Sequence, residues 1–153
     1  MSGRAGSLRA ALGGLALLLS AAAAPALAPS AWLEGASGHQ RARAEAQTAA
    51  RPLLVYFYTD WCPYCREFQK ELLDTGPVES YLRGLARVKI NPEKGPEEAR
   101  LAREYGVTGY PALFVIADGG RPQKVVRNTR HNGQPRLKTP EEFVATLRQA
   151  AER

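Results

Sequence analysis

The chain is poor in the side chains that hold metals. Its 153 residues include two cysteines and two histidines. A structural zinc site needs about four ligands, and neither His39 nor His131 stands at ligand spacing from Cys62 and Cys65. No resident metal is expected. A c-type haem is excluded as well, because Arg66, not histidine, follows the second cysteine. Acid-rich runs are missing, and the formal net charge is +6. The sequence spreads its basic residues widely, which fits a solvated surface and not a nucleic-acid partner. Internal repeats are absent. What remains is the chemistry of a single close cysteine pair.

The first segment reads differently from the rest. Arg4 and Arg9 precede an uncharged apolar run, Ala10 to Ala24, and a small-residue stretch follows. That order is expected of a secretory signal peptide over residues 1–26, cut between 26 and 28. The apolar run is short for a membrane span of about 20 residues; an uncleaved N-terminal anchor is the alternative. Without Arg4 and Arg9 the net charge falls from +6 to +4. The remainder is long enough for one core without staples. Residues 27–43 are expected to be a lead-in and the start of a first helix, and residues 44–151 the folded domain. A periplasmic or secreted location follows, with a monomer as the default because no long exposed apolar helix invites pairing.

Hydrophobic patterning supplies the elements. Trp32 to Gly38 reads as irregular lead-in, and His39 to Arg51 as a helix rich in alanine that Pro52 ends. Leu53 to Thr59, "LLVYFYT", has no polar alternation and reads as a buried strand. A helix begins at Pro63, with Phe68, Leu72 and Cys65 on its inner face. Further strands are expected at Leu85–Asn91, Ala112–Ala117 and Gln123–Asn128, the last two as a hairpin over Asp118-Gly119-Gly120. Helices are expected from Pro96 to about Tyr105, and after the capping box Thr139-Pro140-Glu141-Glu142. Thr129 to Lys138 reads as a polar loop. Alternating elements with a terminal hairpin imply an α/β fold: a mixed central sheet of four or five strands with helices on both faces.

The cysteines sit in Thr59-Asp60-Trp61-Cys62-Pro63-Tyr64-Cys65-Arg66. A disulfide stabilises chiefly by closing a long loop in the unfolded chain. Two intervening residues close almost none, so a structural staple is the weak reading. Placement at a strand-to-helix junction favours a redox couple. Free N–H groups at the helix start favour the thiolate of Cys62, the attacking species in thiol–disulfide exchange. Cys65, one turn further in, is expected to be the more buried thiol. Cys62 would then attack a substrate disulfide and Cys65 resolve the mixed disulfide. No cofactor beyond this Cys62–Cys65 couple is expected.

These segments resemble the thioredoxin superfamily. "YFYTDWCPYCREFQKEL" is similar to its active-site strand, loop and helix, and "YGVTGYPALFVI" to its cis-proline segment and following strand. Among branches the similarity is to exported thioredoxin-like thiol–disulfide oxidoreductases, such as the C-terminal thioredoxin domain of the bacterial transmembrane reductant conductor. The resemblance implies a thioredoxin fold, with Cys62 as nucleophile and Cys65 as resolving thiol. It further implies that Trp61, Pro63 and Tyr64 flank the site. Pro111 would be a cis-proline beside it, with Tyr110 offering its backbone to substrate. Exported proteins with disulfides or dithiols are the implied partners, with a membrane electron donor as a candidate. Two departures stand out. The family's buried acid six residues before the first cysteine is Tyr56 here, which leaves Lys89 and Tyr56 as candidates for proton handling. Pro63-Tyr64 replaces the Gly-Pro of thioredoxins and is similar to more oxidising couples. A dithiol oxidase therefore stays open beside a reductase. A peptide-binding module without catalysis is the reading from another class.

Overall fold

A computed structural model of the protein describes Met1 and residues 31–153. The expected signal peptide beyond Met1, and its cleavage region, lie outside the described residues. Among the described residues, no helix is long and apolar enough to cross a membrane.

The architecture is a five-stranded sheet with helices on both faces, plus a separate two-stranded hairpin. The strands are β1 (Leu33–Glu34), β2 (Leu53–Phe57), β3 (Ala86–Ile90), β4 (Ala112–Ile116) and β5 (Gln123–Val125), in the spatial order β1-β3-β2-β4-β5. β2 runs parallel to β3 and antiparallel to β4, so the sheet is mixed. The absence of polar alternation in β2 has its cause here: all five of its residues are buried, because it is central and covered on both sides.

Period-two alternation divides the core in two. Leu54, Tyr56, Leu113 and Val115 face one layer, with Phe68, Leu72, Leu82, Phe143 and Leu147 from the helices α2 (Pro63–Phe68), α3 (Gly76–Leu82) and α5 (Pro140–Ala151) and from the turn after α2. Leu53, Val55, Phe57, Val88 and Phe114 face the other, with Ala42 of α1 (Gly35–Ala49) and Leu101 of α4 (Pro96–Glu104). The capping box at α5 forms in full: Glu142 N–H donates to Thr139 Oγ1 at 3.3 Å, and Thr139 N–H donates to Glu142 Oε2 at 2.9 Å.

The structure differs from the sequence reading at three places. The lead-in is not irregular: Leu33–Glu34 pairs with Val88–Lys89 as an edge strand. Helix α1 starts at Gly35, before the expected His39, because Glu98 Oε1 accepts the Ala36 N–H at 2.9 Å and completes the first turn from another helix. Such long-range capping leaves no local motif. Thr129–Lys138 is not a loop: β6 (Asn128–His131) and β7 (Gln134–Leu137) form a hairpin over Asn132-Gly133, both with positive φ. A further, smaller difference follows Phe68, where the helix widens into a π-turn over Gln69–Leu73.

His39 lies between α1 and α4, 5% exposed, with Nε2 2.8 Å from the Tyr105 hydroxyl. Burial, with Arg43 adding repulsion, lowers its pKa below the ordinary 6.5. Above that pH, folded and unfolded chains both hold it neutral. As pH falls through 6.5, the unfolded chain takes up the proton first, so stability declines until the folded pKa is passed. The urea midpoint is expected to fall between about pH 7 and about pH 5, and to fall less in His39→Gln. Parallel curves for the two proteins would overturn this assignment.

Candidate active site

Strand β2 ends at Phe57, and the Tyr58 N–H still donates to Ile90 O at 3.1 Å. The chain then turns: Cys62 N–H donates to Thr59 O at 3.3 Å, and Cys62 becomes the N-cap of α2, with Pro63 in the first helical position. Proline suits that position because its N–H would be unpaired anyway. The turn aims the Cys65 N–H at Cys62 Sγ, 3.1 Å away. Both cysteines are thiols here.

The expected difference in burial between them is not found. Cys62 is 3% exposed and Cys65 4%. The side chains of Trp61 and Tyr64, each 62% exposed, project from the same loop. The Cys65 thiol is strongly perturbed nonetheless. Burial, and next the hydrogen bond with Cys62, push the Cys65 thiol up to about 11; the Thr59 backbone and the Tyr56 hydroxyl work in the opposite direction. Tyr56, at the position of the family's buried acid, therefore hydrogen-bonds the inner sulfur. Its own ionisation is pushed far above the ordinary phenol range, by burial first and by the Cys65 sulfur next. It donates to Cys65 and does not act as a base near neutral pH. Tyr56 is fixed by rings: Phe68 at 5.8 Å, Tyr58 stacked at 5.6 Å and Trp32 at 6.2 Å between centroids.

Lys89 pairs with Tyr56 across the β2–β3 ladder, yet its ammonium is drawn outward to Glu34, 3.0 Å away. On the other side of β2, Phe57 pairs with Ala112 of β4. The residues just before Ala112, Tyr110 and Pro111, thus stand beside the segment leading to Cys62, and their peptide bond is cis. Among the described residues no cluster fit to hold a metal occurs.

Two residues that the sequence reading did not single out tie the loop down. Trp61 Nε1 donates to Glu93 Oε1 at 2.9 Å, and Lys94 Nζ lies 2.6 Å from Asp60 Oδ2. The Lys94 ammonium lowers the Asp60 pKa. Glu93 and Lys94 belong to a short 3₁₀ turn after β3, started by Asn91, whose Oδ1 accepts the Glu93 N–H at 3.0 Å. Asn91-Pro92 is a readable turn signal; its contact with Trp61 and Asp60 has no signature in sequence.

A family model described as thioredoxin-like domain matches residues 39–151. The thiol:disulfide interchange protein DsbD of Vibrio cholerae is 32% identical over 95 residues, which are 61% of this chain and 15% of that protein. The chain therefore spans a small fraction of the curated relatives it matches. A thioredoxin from Thermus thermophilus superposes with a TM-score of 0.59 at 26% identity, covering 79% of this chain and 86% of that one. The oxidised C-terminal domain of DsbD from Neisseria meningitidis also reaches 0.59, at 22% identity over 78% of this chain and 99% of that one, a likeness of fold.

Proposed function

The chain belongs to the thioredoxin-like domain family, and from that premise we propose that it is an exported thiol–disulfide oxidoreductase in which a Cys62–Cys65 dithiol reduces protein disulfides. The observation that carries this reading is the Cys62 sulfur at the N-cap of α2, held by the Cys65 N–H at 3.1 Å.

In the first step the Cys62 thiolate attacks one sulfur of a substrate disulfide. A mixed disulfide forms, the substrate S–S bond breaks, and the departing thiolate takes a proton from solvent. In the second step Cys65 attacks the Cys62 sulfur, the mixed disulfide breaks, and the second substrate sulfur leaves. Two electrons have moved from the Cys62–Cys65 dithiol to the substrate, and an external dithiol donor restores the pair. A thiol ionising near 11 is a strong nucleophile once its proton is gone. Tyr56 eases that loss by hydrogen-bonding the forming thiolate but cannot take the proton. The proton passes to the departing substrate sulfur. Export rests on the basic, apolar and small-residue order of the first 28 residues, and a periplasmic location on the same pattern.

The dithiol oxidase is the second reading, favoured by Pro63-Tyr64 between the cysteines. Equilibrating the protein against a series of reduced and oxidised glutathione, then counting free thiols, separates the two. The expected potential lies near the thioredoxin value of about −270 mV. A value close to about −120 mV would reverse the direction.

A further inference from the structure

Residues 121–138 contain six lysines and arginines and no acidic residue. Part of this run lies beside the cis-proline. The run comprises β5, the edge strand next to β4, and the β6–β7 hairpin that follows. Leu113 pairs with Val125 in the antiparallel β4–β5 ladder. Continuing that register brings Arg127 level with Pro111. A cavity of about 440 Å³ opens there, lined by Tyr110 and Pro111 on one side and by Lys124, Val126 and Arg127 on the other. Its lining includes no carboxylate. Lys124 and Arg127 have no ion-pair partner among the described residues, whereas Arg136 further along the arm is paired with Glu142. Glu93, the acid whose charge reaches Tyr110, is engaged by Trp61. Val126 is 58% exposed, a large apolar side chain left open beside two unpaired cations.

We propose that this cavity is a substrate subsite, in which Lys124 and Arg127 receive Asp or Glu side chains of an extended segment lying along Tyr110-Pro111. The inference rests on the oxidoreductase reading for its chemistry and adds the substrate class: disulfides flanked by acidic residues. An extended segment advances about 3.3 Å per residue, so the carboxylates fall within about one to three residues of the target cysteine. Val126 supplies an apolar contact for the segment's backbone and Cβ atoms. Cations left without partners at a recognition site steer an acidic partner and reject a basic one. The basic composition is readable in sequence, but only the β4–β5 register brings it to the cis-proline.

The test uses three peptides with one internal disulfide, identical except for two Asp, two Lys or two Ser beside the target cysteine. The pre-reduced protein is mixed with each, quenched in acid, and peptide thiols are counted. The Asp peptide is expected to react about tenfold faster than the Lys peptide at low salt, with the ratio shrinking at high salt. In the double variant Lys124→Glu/Arg127→Glu the ratio should invert, and in Lys124→Gln/Arg127→Gln it should approach one. Equal rates for the natural chain, or a preference that survives charge reversal, would overturn the subsite. Fluorescence anisotropy of labelled Asp and Lys peptides on the same protein reads binding without chemistry. Preferential binding of the Asp peptide with no reduction of any peptide would support the subsite and sink the oxidoreductase reading. Reduction of all three peptides at one rate, with equal binding, would do the reverse.

Discussion

Cys62→Ser is expected to lower dithiothreitol-driven insulin reduction to the rate of dithiothreitol alone, a loss of about a hundredfold or more. The substitution isolates chemistry from folding. Cys62 is an N-cap, its sulfur accepting from Cys65 N–H, and serine is among the preferred N-cap residues. The helix start therefore survives, while the hydroxyl has no nucleophilic anion near neutral pH. The companion Cys65→Ser should behave differently. Its first step remains, so it should accumulate a mixed disulfide between Cys62 and substrate, visible as a mass increase that dithiothreitol removes. If the natural chain and Cys62→Ser perform alike, catalysis is absent and the domain is a peptide-binding module on a thioredoxin-like scaffold.

Phe68→Ala is expected to destabilise the fold by about 3–5 kcal/mol, enough to lower the melting temperature by roughly 10–20 °C. Phe68 is fully buried at the end of α2 and meets Phe143 of α5 edge-on, with ring centroids 5.5 Å apart. On its other side it meets Tyr56 at 5.8 Å. Removing the ring leaves a cavity between the sheet and two helices, and the surrounding β2 and α5 cannot close it without losing their own packing. The same void lies beneath the tyrosine that hydrogen-bonds Cys65. Phe68→Leu should cost about 1 kcal/mol, because it keeps most of the volume. Thermal melts of the three proteins measure both values. A loss under about 1 kcal/mol for the alanine variant would mean that this ring is not part of the load between the layers.

Local patterns carried most of the architecture. β2 was readable because a strand covered on both faces loses polar alternation. The start of α2 was readable because proline at the first turn after a cysteine is a positional signal. The α5 capping box forms with both of its bonds. Two of the departures share one physical origin, a contact far along the chain. Gly35 begins α1 because a carboxylate from a helix 62 residues away caps Ala36, and Leu33–Glu34 becomes a strand because β3 offers a free edge. Asn132-Gly133 is a hairpin signal, but its flanking residues lack hydrophobic alternation, so the polar composition outweighed it.

The sequence by itself determined the chemistry on offer: one close cysteine pair at a strand-to-helix junction, with proline between them. Spacing and residue type are enough for that, since the junction is made by neighbours in the chain. Only the tertiary structure decided how the pair is differentiated. Burial and the hydrogen bond with Cys62 hold the proton on Cys65, against the Thr59 backbone and the Tyr56 hydroxyl, while Cys62 Sγ accepts the Cys65 N–H. It likewise decided that Lys124 and Arg127, two of the six basic residues along 121–138, stand beside Pro111. Through-space electrostatics depends on distance and burial, and neither is written in the order of the residues.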